Sequence, residues 1–167
     1  MTYQETTSRE SETVLIRRLR SSDLEPVIAL DAKLVGRRRE EYFRLKLEMA
    51  MKETGIEVSL AGELDGAFAG FLIARVFYGE FGIAEPAAVL EVVGVHPDFG
   101  GCGVGHALMA QLATNMLGLG VHNVATEVDW EDQTMMSFLH HEGFKPAARL
   151  CLDLDCAEFR RREESEV

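Results

Sequence analysis

The stretch Val89–Leu119, VLEVVGVHPDFGGCGVGHALMAQLATNMLGL, decides how the chain is read. Its apolar run through Val95 predicts a buried strand. Pro97 then marks a turn, and Gly100, Gly101, Gly103 and Gly105 follow it. Beyond them Val104, Leu108, Leu112 and Met116 recur every four residues, as on a helix with one apolar stripe. A loop almost without side chains lets backbone amides approach a ligand closely. The helix start adds unpaired N–H groups and the positive end of a dipole. Together they favour a phosphate or diphosphate over residues 100–106.

Upstream, Gly79–Pro86 reads as a loop. Ile56–Leu64 and Ala67–Tyr78 read as paired strands, with Asp65-Gly66 as a hairpin turn. Glu40–Glu53 predicts a helix with Phe43, Leu47 and Met51 on one face and Gly55 as its stop. Another helix runs to Leu34, with cap candidates Ser21, Ser22 and Asp23, then Glu25 and Pro26 in its first turn. Gly36 breaks it. Val14–Arg20 alternates as an edge strand, and residues 1–12 are expected to be a flexible leader. Downstream, Gly118 and Gly120 end the long helix. Val121–Val128 predicts a strand, Thr134–Glu142 a short helix closed by Gly143, and Ala148–Leu154 a last strand. Residues 157–167 form a charged tail expected to fray. The expected organisation is one domain over residues 13–156.

Composition narrows the functional classes. The 167 residues, 47% apolar, suit one domain with a real core. A net charge of −11 argues against a nucleic-acid binder, which needs basic stripes. It is mildly compatible with a cationic amine substrate, but plain acidic solubility is the favoured reason for the charge. No signal-peptide core and no membrane-length apolar run is present, so a cytoplasmic protein is expected. Cys102, Cys151 and Cys156 cannot all pair, and none lies in a CxxC spacing, so neither a disulfide framework nor a metal site is suggested.

Three kinds of glycine loop compete. A P-loop needs a lysine after its last glycine, and here His106 follows Gly105. The dinucleotide fingerprint GxGxxG is met only out of register by Gly101–His106, with Glu127 at a tolerable distance. That fold would also begin with the loop, whereas here a hairpin and helices precede it. The run Val93–Leu108, VGVHPDFGGCGVGHAL, resembles the acetyl-CoA motif of the GNAT-type N-acetyltransferase superfamily, V-x-P-x-x-(R/Q)-G-x-G-(V/I)-G before a helix. Gly143-Phe144 resembles the family's closing GF, and the element order agrees from Leu15 to Leu154.

The resemblance implies an α/β fold with a central, mostly antiparallel sheet, splayed between its fourth and fifth strands and flanked by helices. It implies acetyl-CoA as cosubstrate and direct acetyl transfer to a primary amine of a small molecule or protein. The backbone of Val93, Gly94 and Val95 would take the pantetheine arm, with Gly94 suited to a strand-splaying bulge. Gly100, Gly101, Cys102, Gly103, Val104, Gly105 and His106 would take the diphosphate. Asp132 falls where the family has an asparagine. Two departures stand out. Gly100 replaces the usual Arg or Gln, and Leu139 occupies the place of the tyrosine that protonates the departing thiolate. His140 is the neighbouring candidate acid, although one helix residue turns a side chain by about 100°. Glu91, a lone carboxylate in an apolar strand, is the candidate base, with a salt-bridged glutamate as the alternative. The missing tyrosine keeps open a second class, an acyl-CoA-binding sensor without turnover. The acceptor is expected at the loop Val35–Glu41 and near the chain's end. Homodimers are common in the family, and no residue pattern here proves one.

Overall fold

Asp65 and Gly66 take left-handed backbone angles, φ 50° and 80°, the geometry of a two-residue hairpin turn. They join β2 (Leu60–Leu64) to β3 (Ala67–Phe77), which pairs onward with β4 (Ala87–Val95). With β1 (Val14–Arg18) and β5 (Val124–Ala125) at the edges, the sheet runs β1-β2-β3-β4-β5. Every pairing is antiparallel except that of β4 with β5. The computed structural model describes residues 13–52, 58–78, 82 and 84–165. The expected leader, the stop at Gly55 and part of the 79–86 loop lie outside them. The chain divides into two units, one up to Asp132 and one from Gln133 onward.

In the first unit the sheet is covered on both faces. A short 3-10 turn at Ser21–Asp23 leads into α1 (Leu24–Val35), and α2 (Glu40–Lys52) follows after Gly36. Val27, Ile28 and Leu30 of α1 and Phe43 and Leu47 of α2 form one core with Ala61, Phe71 and Ile73 of the sheet. On the opposite face lies α3 (Val104–Gly118), whose Val104, Leu108, Leu112 and Met116 are at most 2% exposed. Burying each such side chain contributes about 1.5–3 kcal/mol relative to leaving it in water. The helix sits close because Gly70 lacks a side chain: a Cβ there would stand 2.9 Å from Gly94 O and 3.0 Å from Val104 Cγ1.

Buried charges fasten the layers. Arg17 of β1 grips Asp23 with two bonds, 2.7 and 2.9 Å, and Glu63 of β2 with a third, 2.6 Å. Burial pushes the Asp23 carboxyl up, but the Arg17 bonds and the Arg20 N–H outweigh it and hold it below the usual range. Arg39 likewise clamps buried Asp31 at 2.5 and 2.9 Å, fixing the turn between α1 and α2.

The second unit holds α4 (Gln133–His141) and α5 (Cys156–Ser165). Gly143, at φ 93°, ends α4 as anticipated: its N–H donates to His140 O, and the Phe144 N–H to Leu139 O. Three expectations need correcting. Ala148–Leu154 forms no strand, and Leu150, Leu152 and Leu154 are 69–89% exposed. The tail is helical as far as Ser165: Asp155 Oδ1 caps the Ala157 and Glu158 N–H groups at 2.9 Å, and Arg160–Glu164 and Arg162–Glu158 pair one turn apart. Thirdly, β5 is two residues long, not the eight of Val121–Val128.

Candidate active site

The shortness of β5 shapes the site. It pairs with β4 only at Ala88 and Val89, and Thr126 Oγ1 reaches Leu90 O at 2.8 Å. From there to Val95 the β4 edge is unpaired on that side among the described residues, the splay that the resemblance implies. A bulge sets which groups line this edge. Ile73 pairs with Val92 but Ala74 with Leu90, so Glu91 is the extra residue. The Ala88 N–H faces β5, donating to Asn123 O, whereas the His96 N–H faces β3, donating to Ala69 O. The extra residue has therefore switched the alternation, and Val93 and Val95 turn their main-chain groups to the open edge.

Gly94 is thereby corrected on two counts. The bulge lies at Glu91, and Gly94 pairs with Phe71 inside the sheet. Its lack of a side chain serves packing: a Cβ would meet Leu34 Cδ1 at 3.0 Å and both Leu30 and Phe71 at 3.1 Å.

Beyond the short turn Pro97–Phe99 the glycine loop leads into α3. Gly101 and Gly103 have φ of 77° and 81°, which strains any residue with a Cβ, and open space lies where one would stand. Two predicted ligands use their amides inside the loop: Gly100 N–H donates to Pro97 O and Cys102 N–H to Phe99 O. Among the described residues, the N–H groups of Gly101, Gly103, Val104 and Gly105 donate to no protein atom. They stand together at the start of a fifteen-residue helix, an arrangement that fits a diphosphate. Val104 contributes only its backbone, its side chain being buried, and His106 is exposed in the first helical turn. Asp132 is exposed, its N–H closing a turn onto Asp129 O.

Glu91 is bracketed by cations. Its Oε1 receives Lys46 Nζ at 2.9 Å from α2 and Arg75 Nε at 3.3 Å from β3. The salt-bridged alternative is thus what the fold builds, with both hydrogen bonds taken by Oε1. Neither cation is visible as a partner in the sequence, because both contacts join distant elements. In the second unit Leu139 is buried and His140 exposed on α4. Between α1 and α2 an open depression of about 400 Å³ is lined by Arg37 to Tyr42. Arg38 is paired with Glu25 and Arg39 with Asp31, whereas Glu40 and Glu41 form no hydrogen bond among the described residues.

The fold is shared with solved structures. An aminoglycoside N-acetyltransferase, AAC(6′)-Iy in complex with CoA, superposes with a TM-score of 0.73 at 20% identity, over 89% of this chain and 98% of that one. A transcriptional regulator from Bacillus halodurans C-125 gives 0.71 at 21% identity, over 85% and 99%. A ribosomal-protein-alanine N-acetyltransferase from Brucella melitensis biovar Abortus 2308 gives 0.67 at 18%, over 85% and 98%. At such identities the likeness establishes the fold alone. No curated relative matches by sequence. The family model of the Acetyltransferase (GNAT) family, however, matches residues 18–144, spanning β2 to β5, the glycine loop and the Gly143-Phe144 stop. The chain therefore belongs to the GNAT acetyltransferase family.

Proposed function

We propose that the protein transfers an acetyl group from acetyl-CoA to a primary amine. The observation that carries this reading is the cluster of unpaired amides at Gly101, Gly103, Val104 and Gly105, set beside the open edge of β4. The amides take the diphosphate, and the main-chain groups of Val93 and Val95 take the pantetheine arm. An N–H on that edge polarises the thioester carbonyl. The amine nitrogen attacks the carbonyl carbon, the C–S bond breaks, and CoA leaves as its thiolate. The amine's proton passes to Glu91 Oε2, directly or through water, while Lys46 and Arg75 hold the other carboxylate oxygen. The thiolate takes a proton from solvent. A cationic acceptor would meet the Glu40 and Glu41 carboxylates at the α1–α2 loop, where Arg38 and Arg39 are paired with Glu25 and Asp31 and Arg37 also lines the depression.

Buried Leu139, in place of the family's tyrosine, favours a second reading: an acyl-CoA-binding module without turnover. Thiol release from acetyl-CoA over a panel of small amines and peptide amines separates the two. The enzyme reading expects release with at least one amine and stabilisation against heat by CoA but not NAD. Tight CoA binding with no release on any amine supports the module, and stabilisation by NAD alone overturns both.

A further inference from the structure

His96 closes β4 and caps the turn that launches the glycine loop, its Nδ1 accepting the Asp98 N–H at 3.2 Å. Its Nε2 lies 2.7 Å from Lys33 Nζ, in the last turn of α1. The side chain is only 16% exposed, with the Phe99 ring 5.5 Å from its own. A neutral imidazole has a single acceptor nitrogen, so the two donors compete for one ring. With Nδ1 accepting, the turn is capped and Nε2 carries the ring proton toward an ammonium that cannot receive it. With Nε2 accepting from Lys33, the proton sits on Nδ1 and the Asp98 N–H loses its partner. The Asp98 carboxylate, 3.7 Å from Nδ1, then faces that proton electrostatically, beyond hydrogen-bond distance.

We propose that His96 is a positioning residue for the diphosphate loop, capping it through Nδ1, and that Lys33 opposes the cap by drawing the acceptor to Nε2. The consequence for coenzyme binding rests on the acetyl-CoA reading above. The cap fixes the direction in which the chain leaves β4, and hence where the amides of Gly101, Gly103, Val104 and Gly105 stand. Lys33 makes that direction answer to the end of α1, next to the loop assigned to the acceptor.

Three variants separate the two nitrogens. His96→Asn keeps an acceptor near the place of Nδ1 and offers Lys33 nothing. His96→Gln puts an acceptor near the place of Nε2, and Lys33→Met removes the competitor. Hydrogen exchange at the Asp98 amide of the coenzyme-free protein reads the cap by itself. His96→Asn and Lys33→Met should exchange more slowly than wild type, and His96→Gln about tenfold faster than His96→Asn. Calorimetry should then find CoA bound about tenfold more weakly by His96→Gln than by His96→Asn. Pantetheine, which lacks the diphosphate, should bind all of them alike. Equal Asp98 exchange in the two His96 variants, or pantetheine weakened as much as CoA, overturns the proposal alone. A wild-type protein that binds no CoA overturns the coenzyme reading and this role with it.

Discussion

The seam between α3 and the sheet and the loop that precedes α3 both depend on glycine, for opposite reasons. At the seam the space is full: a Cβ on Gly70 would press on the backbone oxygen of Gly94 and on Val104. In the loop the space is empty: nothing lies within 4 Å of where Gly101 or Gly103 would carry one. One set of glycines lets the layers close, and the other keeps a surface of amides bare at positive φ. Stability resides at the seam, and the proposed diphosphate binding in the loop.

Substitutions at the two places should therefore separate those properties. Gly70→Ala is expected to have the largest effect, lowering stability by about 2–3 kcal/mol because backbone must shift to admit the methyl group. Urea denaturation measures this, and the folded fraction should still bind CoA within about twofold of wild type. Gly103→Ala should cost about 1 kcal/mol of stability from its left-handed angle, yet weaken CoA about tenfold by placing a methyl group on the amide surface. A calorimetric titration that found the reverse ranking would break the comparison.

Acidification sharpens the contrast further. The folded Asp23 carboxyl lies below its ordinary range, so its stabilising contribution is complete above the unfolded value and fades as pH falls through the folded one. Denaturation midpoints across the acid range should thus decline more steeply for wild type than for Asp23→Asn. The loop amides carry no titrating proton, so no such slope originates there.

The same contrast explains which features are legible in the amino-acid sequence. Gly100–Gly105, the α3 stripe and the Asp65-Gly66 turn are local patterns, and the fold places each where its residues predict it. Strand pairing is not local. Leu150, Leu152 and Leu154 alternate as a strand should, but alternation describes a face and supplies no ladder partner, and they remain exposed. Glycine permits a bulge, which points to Gly94, whereas register against β3 puts the bulge at Glu91. Lys46 and Arg75, the partners of Glu91, lie 45 and 16 residues away in sequence. The Asp155 cap and the i,i+4 pairs of α5 are local signals too, masked by the high charge of a segment that resembles a fraying tail.

The central claim is tested most directly by following backbone amide resonances while CoA is added. The amides of Gly101, Gly103, Val104 and Gly105 should shift together and saturate, with Val93 and Val95 following, whereas pantetheine should move only the latter two. CoA that binds without perturbing the four loop amides, or moves them no more than pantetheine does, would contradict the assignment of the glycine loop as the diphosphate site.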